Sequence, residues 1–152
     1  NLSGDEWSNA MNAAKEINDC MSAGWGAYVW WYIMRSYGPI SASGNIQKLG
    51  YVMAQYASYI RTGYTKISCT ENPSTGIYVT AYKSGSKIVV VAINQNSSEV
   101  YLPFNLNGAT VSGFTSYSTT SSSNLVPGNV SISGSVFGTT LSGMSITTLV
   151  SD

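Results

Sequence analysis

Arg35 stands at the end of "AYVWWYIMRSYGPI", residues 27 to 40, and is one of only two arginines in the chain. A planar guanidinium beside aromatic rings can hold a carboxylate through two charge-assisted hydrogen bonds, while an indole offers an apolar wall to a sugar face. In an extended segment, Val29, Trp31, Ile33, Arg35 and Tyr37 share one side and Tyr28, Trp30, Tyr32 and Met34 the other. Trp31, Arg35 and Tyr37 would then meet at the C-terminal end of a strand. Spacing alone leaves two readings open: a ligand clamp, or core aromatics followed by a surface arginine.

The other groups that do chemistry are few. Glycoside hydrolysis uses two carboxyl groups flanking the scissile bond. The seven acids offer no such pair: Asp5 and Glu6 fit a first helical turn, Glu16 and Asp19 a polar helix face, Glu71 and Glu99 turn borders, and Asp152 the last position. Lys15 and Asp19 have the spacing of a helical ion pair. With no histidine and only Cys20 and Cys69, Ser-His-Asp catalysis and a zinc site of imidazoles or four thiolates are excluded by inventory. Cys20 falls in a helical pattern and Cys69 in a strand pattern, so two free, mostly buried thiols are expected rather than a disulfide. No cofactor is implied.

Seven acids balance seven bases and charged residues make up only 9% of the chain, so the basic footprint of a nucleic-acid binder is missing. The uncharged, hydroxyl-rich composition suits neutral polar ligands. The longest apolar run is too short to cross a bilayer as a helix, so no membrane partner is expected. "NLSGDEW" carries neither an initiator methionine nor a signal peptide, which reads as a mature product or a piece of something longer.

The elements that must position Arg35 follow from periodicity. "SGDE" at 3 to 6 has the form of a capping box. Trp7, Met11, Ala14, Ile17 and Met21 then recur at helical steps until Gly24 and Gly26. "AYVWWYI" is apolar on both alternating faces, the habit of a parallel strand covered on both sides. After a loop, Leu49, Val52, Met53, Tyr56 and Ile60 repeat the helical period. From Gly63 onward "KISCT", "IYVTAYK", "KIVVVAINQ", "VYLPFNL", "NVSIS" and "SITTLV" are short strands broken by turn clusters, with "SYSTTSSSN" a long turn; together they imply an all-β sandwich. The chain therefore divides into residues 1–63, an α/β segment, and residues 64–152, a β-domain. Two helices around one strand buried on both faces lack the neighbours that such burial requires.

"NAAKEINDCM", "AYVWWYIMRSYGPI", "KLGYVMAQYASYIRTGY" and "IYVTAYK", in this order, resemble the C-terminal part of bacterial glucuronoxylan-specific xylanases of glycoside hydrolase family 30, subfamily eight. The resemblance implies a secreted, retaining enzyme: a (β/α)8 TIM barrel with a side β-sandwich. Residues 5–22 would be the seventh barrel helix, 27–33 the eighth strand, 47–60 the last helix, and 64–152 the side domain. It further implies that Trp31, Arg35 and Tyr37 form the pocket for the 4-O-methylglucuronate branch of xylan. Met34 replaces what is often a second arginine in the family. The two catalytic glutamates would lie upstream of residue 1, on an N-terminal barrel segment that could be a separate chain, so this chain alone is expected to be inactive. The alternative, of another class, is a non-catalytic carbohydrate-binding module presenting Tyr78, Tyr82, Tyr101 and Tyr117; a third reading makes the sandwich a buttress for the barrel.

Overall fold

The protein was analysed as a computed structural model that describes residues 6–152. Two helices, α1 (Glu6–Ser22) and α2 (Lys48–Ala57), precede eight strands: β1 (Thr65–Ile67), β2 (Ile77–Ser84), β3 (Lys87–Asn94), β4 (Val100–Asn105), β5 (Gly113–Thr119), β6 (Val126–Ser133), β7 (Val136–Leu141) and β8 (Ser145–Ser151). Among the described residues, no helix is long and apolar enough to cross a membrane.

Periodicity places α1 correctly because one stripe of it is buried: Ala10, Met11, Ala14 and Ile17 face the sheet. Lys15 and Asp19 pair at 2.6 Å on the exposed side. The helix stops at Gly24, whose φ of +83° is open to glycine. The Gly24 amide donates to the Met21 carbonyl and the Trp25 amide to that of Cys20, the double bond of a Schellman ending. The expected capping box falls on Ser3 to Glu6, and Ser3 lies outside the described residues. The Glu6 carboxylate instead accepts the backbone N–H of Lys48 at 2.6 Å, placing negative charge at the first turn of α2.

The strands form one antiparallel sheet in the order β1-β2-β3-β8-β5-β6-β7-β4. β6 and β7 are joined by only two residue pairs, Ile132 with Phe137 and Ser133 with Val136, and this narrow join lets the sheet curl. The concave side closes on Ile77, Val79, Ile88, Val90, Phe114, Phe137 and Leu141, with Phe114 and Phe137 stacked at 4.4 Å. The opposite face of the β2-β3-β8 half carries Tyr82, Val89, Val91, Ile93 and Ile146 against α1 and α2. "KIVVVAIN" is continuously apolar because β3 is covered on both sides. The β-domain read from the sequence as a sandwich is thus one antiparallel sheet curled over its own core.

Two strands, β5 and β7, lie where the sequence shows little apolar alternation. Hydroxyls in β5 are satisfied by partners: Ser118 and Thr147 oxygens are 2.8 Å apart, and the Gln55 side-chain amide donates to Thr119 Oγ1 at 2.9 Å. Both cysteines are free and half-buried; burial, followed by the nearby Glu71 charge, raises the Cys69 pKa.

Residues 27–33 do not form the expected strand. Among the described residues nothing lies alongside them to accept a ladder, and the segment's only pairing is an isolated bridge from Met34 to Ile40. Val29 is 86% exposed and Trp31 74%. An apolar run covered on both faces takes that cover from neighbouring strands, and the sequence pattern records the demand without supplying them.

Candidate functional site: the Arg35 loop

Residues 33 to 40 close into a compact loop. The Ile40 amide donates to the Ile33 carbonyl and the Arg35 amide to the Ile40 carbonyl, each at 3.0 Å, while the Gly38 amide reaches back to Arg35. Gly38 has no room for a side chain: a Cβ there would sit 2.8 Å from the Tyr32 carbonyl and 2.9 Å from that of Ile33. Gly50 on α2 is equally required, since its Cβ would meet the Pro39 carbonyl at 2.6 Å. The "YGP" turn is therefore pressed against the first turn of α2.

Gln47, the residue that caps α2, fastens it. Its side-chain amide donates to the carbonyls of Arg35 at 2.9 Å and Gly38 at 2.7 Å, and its main-chain N–H donates to Pro39. One residue thus takes up three carbonyls of the loop that carries Arg35.

The side chains do not meet as strand parity predicts. Tyr32 has φ +62°, a left-handed conformation that bulky residues rarely adopt, so the alternation breaks one residue after Trp31. The Tyr32 ring then mediates the cluster. Trp31 packs edge-on against it, with ring centroids 5.0 Å apart and planes at 71°, and the Arg35 guanidinium lies over it with Cζ 4.6 Å from the centroid. Trp31, Tyr32 and Arg35 form one exposed aromatic–cation group. Tyr37 turns to a separate cleft of about 380 Å³, lined with Trp30, Glu6 and Gln47. Tyr32 and Gln47 are the two contributors that spacing misses; a glutamine just before the "KLGYVMAQY" helical pattern is the only sequence signal of either.

The carboxylates serve structure. Glu6 holds the start of α2, Asp19 pairs with Lys15, Glu71 with Lys66 at 2.5 Å, and Asp152 accepts from Thr115. Glu16 lies beside Tyr28, whose hydroxyl is pushed up to about 12, first by burial and then by that negative charge. Among the described residues no group of three metal-binding side chains is assembled. The tyrosines of the binding-module reading separate: Tyr82 is buried, Tyr78 lies under the Lys15 ammonium and Tyr117 stacks on Tyr59 at 4.7 Å. Tyr101 alone of the four is exposed as a large side chain.

A curled antiparallel sheet backed by two helices is the arrangement found within xylan-cleaving glycoside hydrolases. The GH30 endoxylanase of Clostridium papyrosolvens C71 matches with a TM-score of 0.94 at 38% identity, covering 99% of this chain and 40% of that one. The family 30, subfamily 8 xylanase of Clostridium acetobutylicum matches with a TM-score of 0.93 at 35% identity, again over 99% of this chain and 40% of that one. In sequence the chain is 43% identical over 150 residues to the glucuronoxylanase XynC of Bacillus subtilis strain 168, which is 97% of this chain and 36% of that protein. No family model matches. The chain resembles the C-terminal part of glycoside hydrolase family 30, subfamily 8 xylanases, and spans well under half the length of these relatives.

Proposed function

We propose that this chain is the C-terminal portion of a secreted, retaining endo-β-1,4-xylanase that acts on glucuronoxylan. Residues 1–63 contribute the last helix, strand and helix of a (β/α)8 barrel, and residues 64–152 the side domain that supports it. The segment 27–33 becomes a strand when upstream barrel strands flank it, which accounts for its two apolar faces. The two glutamates of the reaction come from that upstream part, and this chain alone does not cleave xylan.

The observation that carries the reading is the Arg35 guanidinium, held over Tyr32 on a loop whose carbonyls are taken up by Gln47, in a chain 43% identical to a glucuronoxylanase. Pinned backbone and a stacked cation reduce the motion lost on binding, so the fork is ready for a carboxylate. Arg35 binds the 4-O-methylglucuronate branch, Trp31 walls it, and Tyr37 joins them once the adjoining strand is in place.

The test uses the chain assembled with the barrel portion of a related enzyme. Arg35→Ala should lower kcat/KM on glucuronate-bearing xylo-oligosaccharides by roughly 10- to 100-fold, the weight of a charge-assisted fork, and leave unbranched ones nearly unchanged. Arg35→Lys should recover only part of the loss, because a point charge cannot match both carboxylate oxygens. Equal losses on branched and linear substrates would make Arg35 structural and remove the clamp.

A further inference from the structure

The outer face of the sheet at its β4 end has a composition that calls for explanation. Strands β4, β6 and β7 contain no Asp, Glu, Lys or Arg, although β4 is an edge strand. Exposed edges are commonly protected by charges, as the opposite edge is here by Lys66 and Lys83 on β1 and β2. β4 has only Pro103, which removes one edge donor.

On this face, with the exposed Glu99 two residues before it at the start of β4, Tyr101 is 65% exposed, and its ring is seated. Tyr101 pairs with Thr140 and Pro103 with Gly138 across β4 and β7. A Cβ built on Gly138 would lie 2.6 Å from Tyr101 Cζ and 3.1 Å from Cε2, and would also collide with the hydroxyl oxygen. The ring therefore lies down across β7, in space that only glycine leaves free, with its other side toward solvent. Pro103, Asn105 and Thr140 are exposed beside it, and Val136 farther along β7.

We propose that this face, centred on Tyr101, is a binding surface for an uncharged β-1,4-linked polysaccharide chain. A sugar ring with equatorial substituents presents a flat face of C–H groups that complements the electron-rich face of a tyrosine. The Asn105 amide and Thr140 hydroxyl are placed to meet its hydroxyls. With no cation on these three strands and Glu99 beside Tyr101, nothing here holds a polyanion or an acidic branch. The surface is distinct from the Arg35 loop; the β-1,4 linkage and the choice of probes rest on the xylan reading, and the flat sugar face does not.

The test is affinity electrophoresis of the full chain in gels containing soluble linear xylan or hydroxyethyl cellulose, against gels with no polysaccharide. The intact chain should be retarded by at least one polymer, and Tyr101→Ala should weaken that retention roughly five- to tenfold with the melting temperature unchanged. Gly138→Val, which keeps the tyrosine but takes its seat, should do the same. Retardation by both polymers assigns the site to the shared backbone geometry, and retardation by xylan alone to the pentose chain; each supports it. No retardation of the intact chain, or equal retardation of the Tyr101→Ala chain, overturns it, as does a Tyr101-dependent dimer in sedimentation without retardation. Neither polymer carries a carboxylate, so the result is independent of whether Arg35 binds the acidic branch.

Discussion

The side-chain amide of Gln47 donates to the main-chain carbonyl of Arg35 at 2.9 Å, so the arginine's backbone is tied to the start of α2 while its guanidinium rests on Tyr32. Backbone and head group are fixed by different partners. Gln47→Glu keeps the length but turns a donor of two bonds into an acceptor facing two carbonyls. Leaving the Gly38 carbonyl unpaired, and that of Arg35 with the Gly38 amide alone, beside a carboxylate should cost about 1–3 kcal/mol. Thermal unfolding reads the loss, and amide exchange should rise at residues 35, 38 and 40 while β3 stays protected. Unchanged exchange there would mean that the loop's own bonds suffice.

Lys48, the next residue, performs a similar task toward the sheet. Its ammonium donates to Asn124 Oδ1 at 2.7 Å, to the Thr120 carbonyl at 2.9 Å and to that of Ser123 at 3.3 Å, which fills its donor capacity. Burial lowers its pKa, against the opposing Glu6 carboxylate. The Ser/Thr-rich turn between β5 and β6, which has hydrogen bonds of its own around Thr120, is thereby tied to α2 by a single cation. Lys48→Met should keep the apolar stem over Trp7 but release the turn, costing about 1–2 kcal/mol and opening residues 120–124 to limited proteolysis. A protease-resistant turn in that variant would show that the Thr120 and Ser123 hydroxyls hold it alone.

What the sequence made legible follows from how local each signal is. α1 and α2 repeat at helical spacing because each buries one stripe against the sheet, and Gly24 marks the end of α1 since its φ excludes other residues. The "KIVVVAIN" strand is legible for the opposite reason, having no exposed face. β5 was hidden because its Ser118 and Thr119 hydroxyls find partners on β8 and α2, a long-range fact, and β7 because Gly138 and two threonines interrupt its apolar alternation. Residues 27–33 show the reverse failure: their apolar pattern reports burial that the described residues do not provide. For the site, Arg35 and Trp31 were recognisable by type. The left-handed Tyr32 that rearranges them was not, because no residue type at that position announces a positive φ.

Two buried phenols and the half-buried Tyr28 set the alkaline limit. Tyr56 and Tyr82 are 7% and 4% exposed, and their hydroxyls lie beside the Thr80 side chain without a hydrogen bond of good geometry. Burial is the largest cause raising both pKa values, and for Tyr56 the neighbouring Tyr82 adds to it. Tyr28 rises to about 12. In the unfolded chain these phenols ionise near pH ~10. Above that pH the unfolded state releases protons that the folded state retains, so stability, complete below pH ~10, falls as pH climbs further. Absorbance at 295 nm should show a late ionisation coincident with loss of circular dichroism, and Tyr82→Phe should diminish that late step while leaving stability at pH 7 unchanged or slightly improved. A smooth titration at ordinary phenol pKa, with the fold intact, would contradict the burial argument.

The last prediction concerns the surface that residues 25–34 leave open. Trp25, Val29, Trp31, Ile33 and Met34 are each more than half exposed within ten consecutive residues, whereas isolated apolar side chains are ordinary on a surface. Contiguous apolar surface in water is driven to find cover, and extended backbone without a ladder offers donors and acceptors for pairing. Alone in solution, the chain should bind an apolar fluorescent dye and show concentration-dependent association by sedimentation. Val29→Lys with Ile33→Lys should reduce both effects without lowering the melting temperature, because neither residue belongs to a core of the described structure. Adding the barrel portion of a related xylanase should quench the dye signal of the unmodified chain and not that of the double variant, since two lysine charges would oppose burial between strands. A dye-silent monomer that melts cooperatively would show that residues 25–34 find their cover within the chain itself, and the barrel-strand assignment of 27–33 would lose its physical basis.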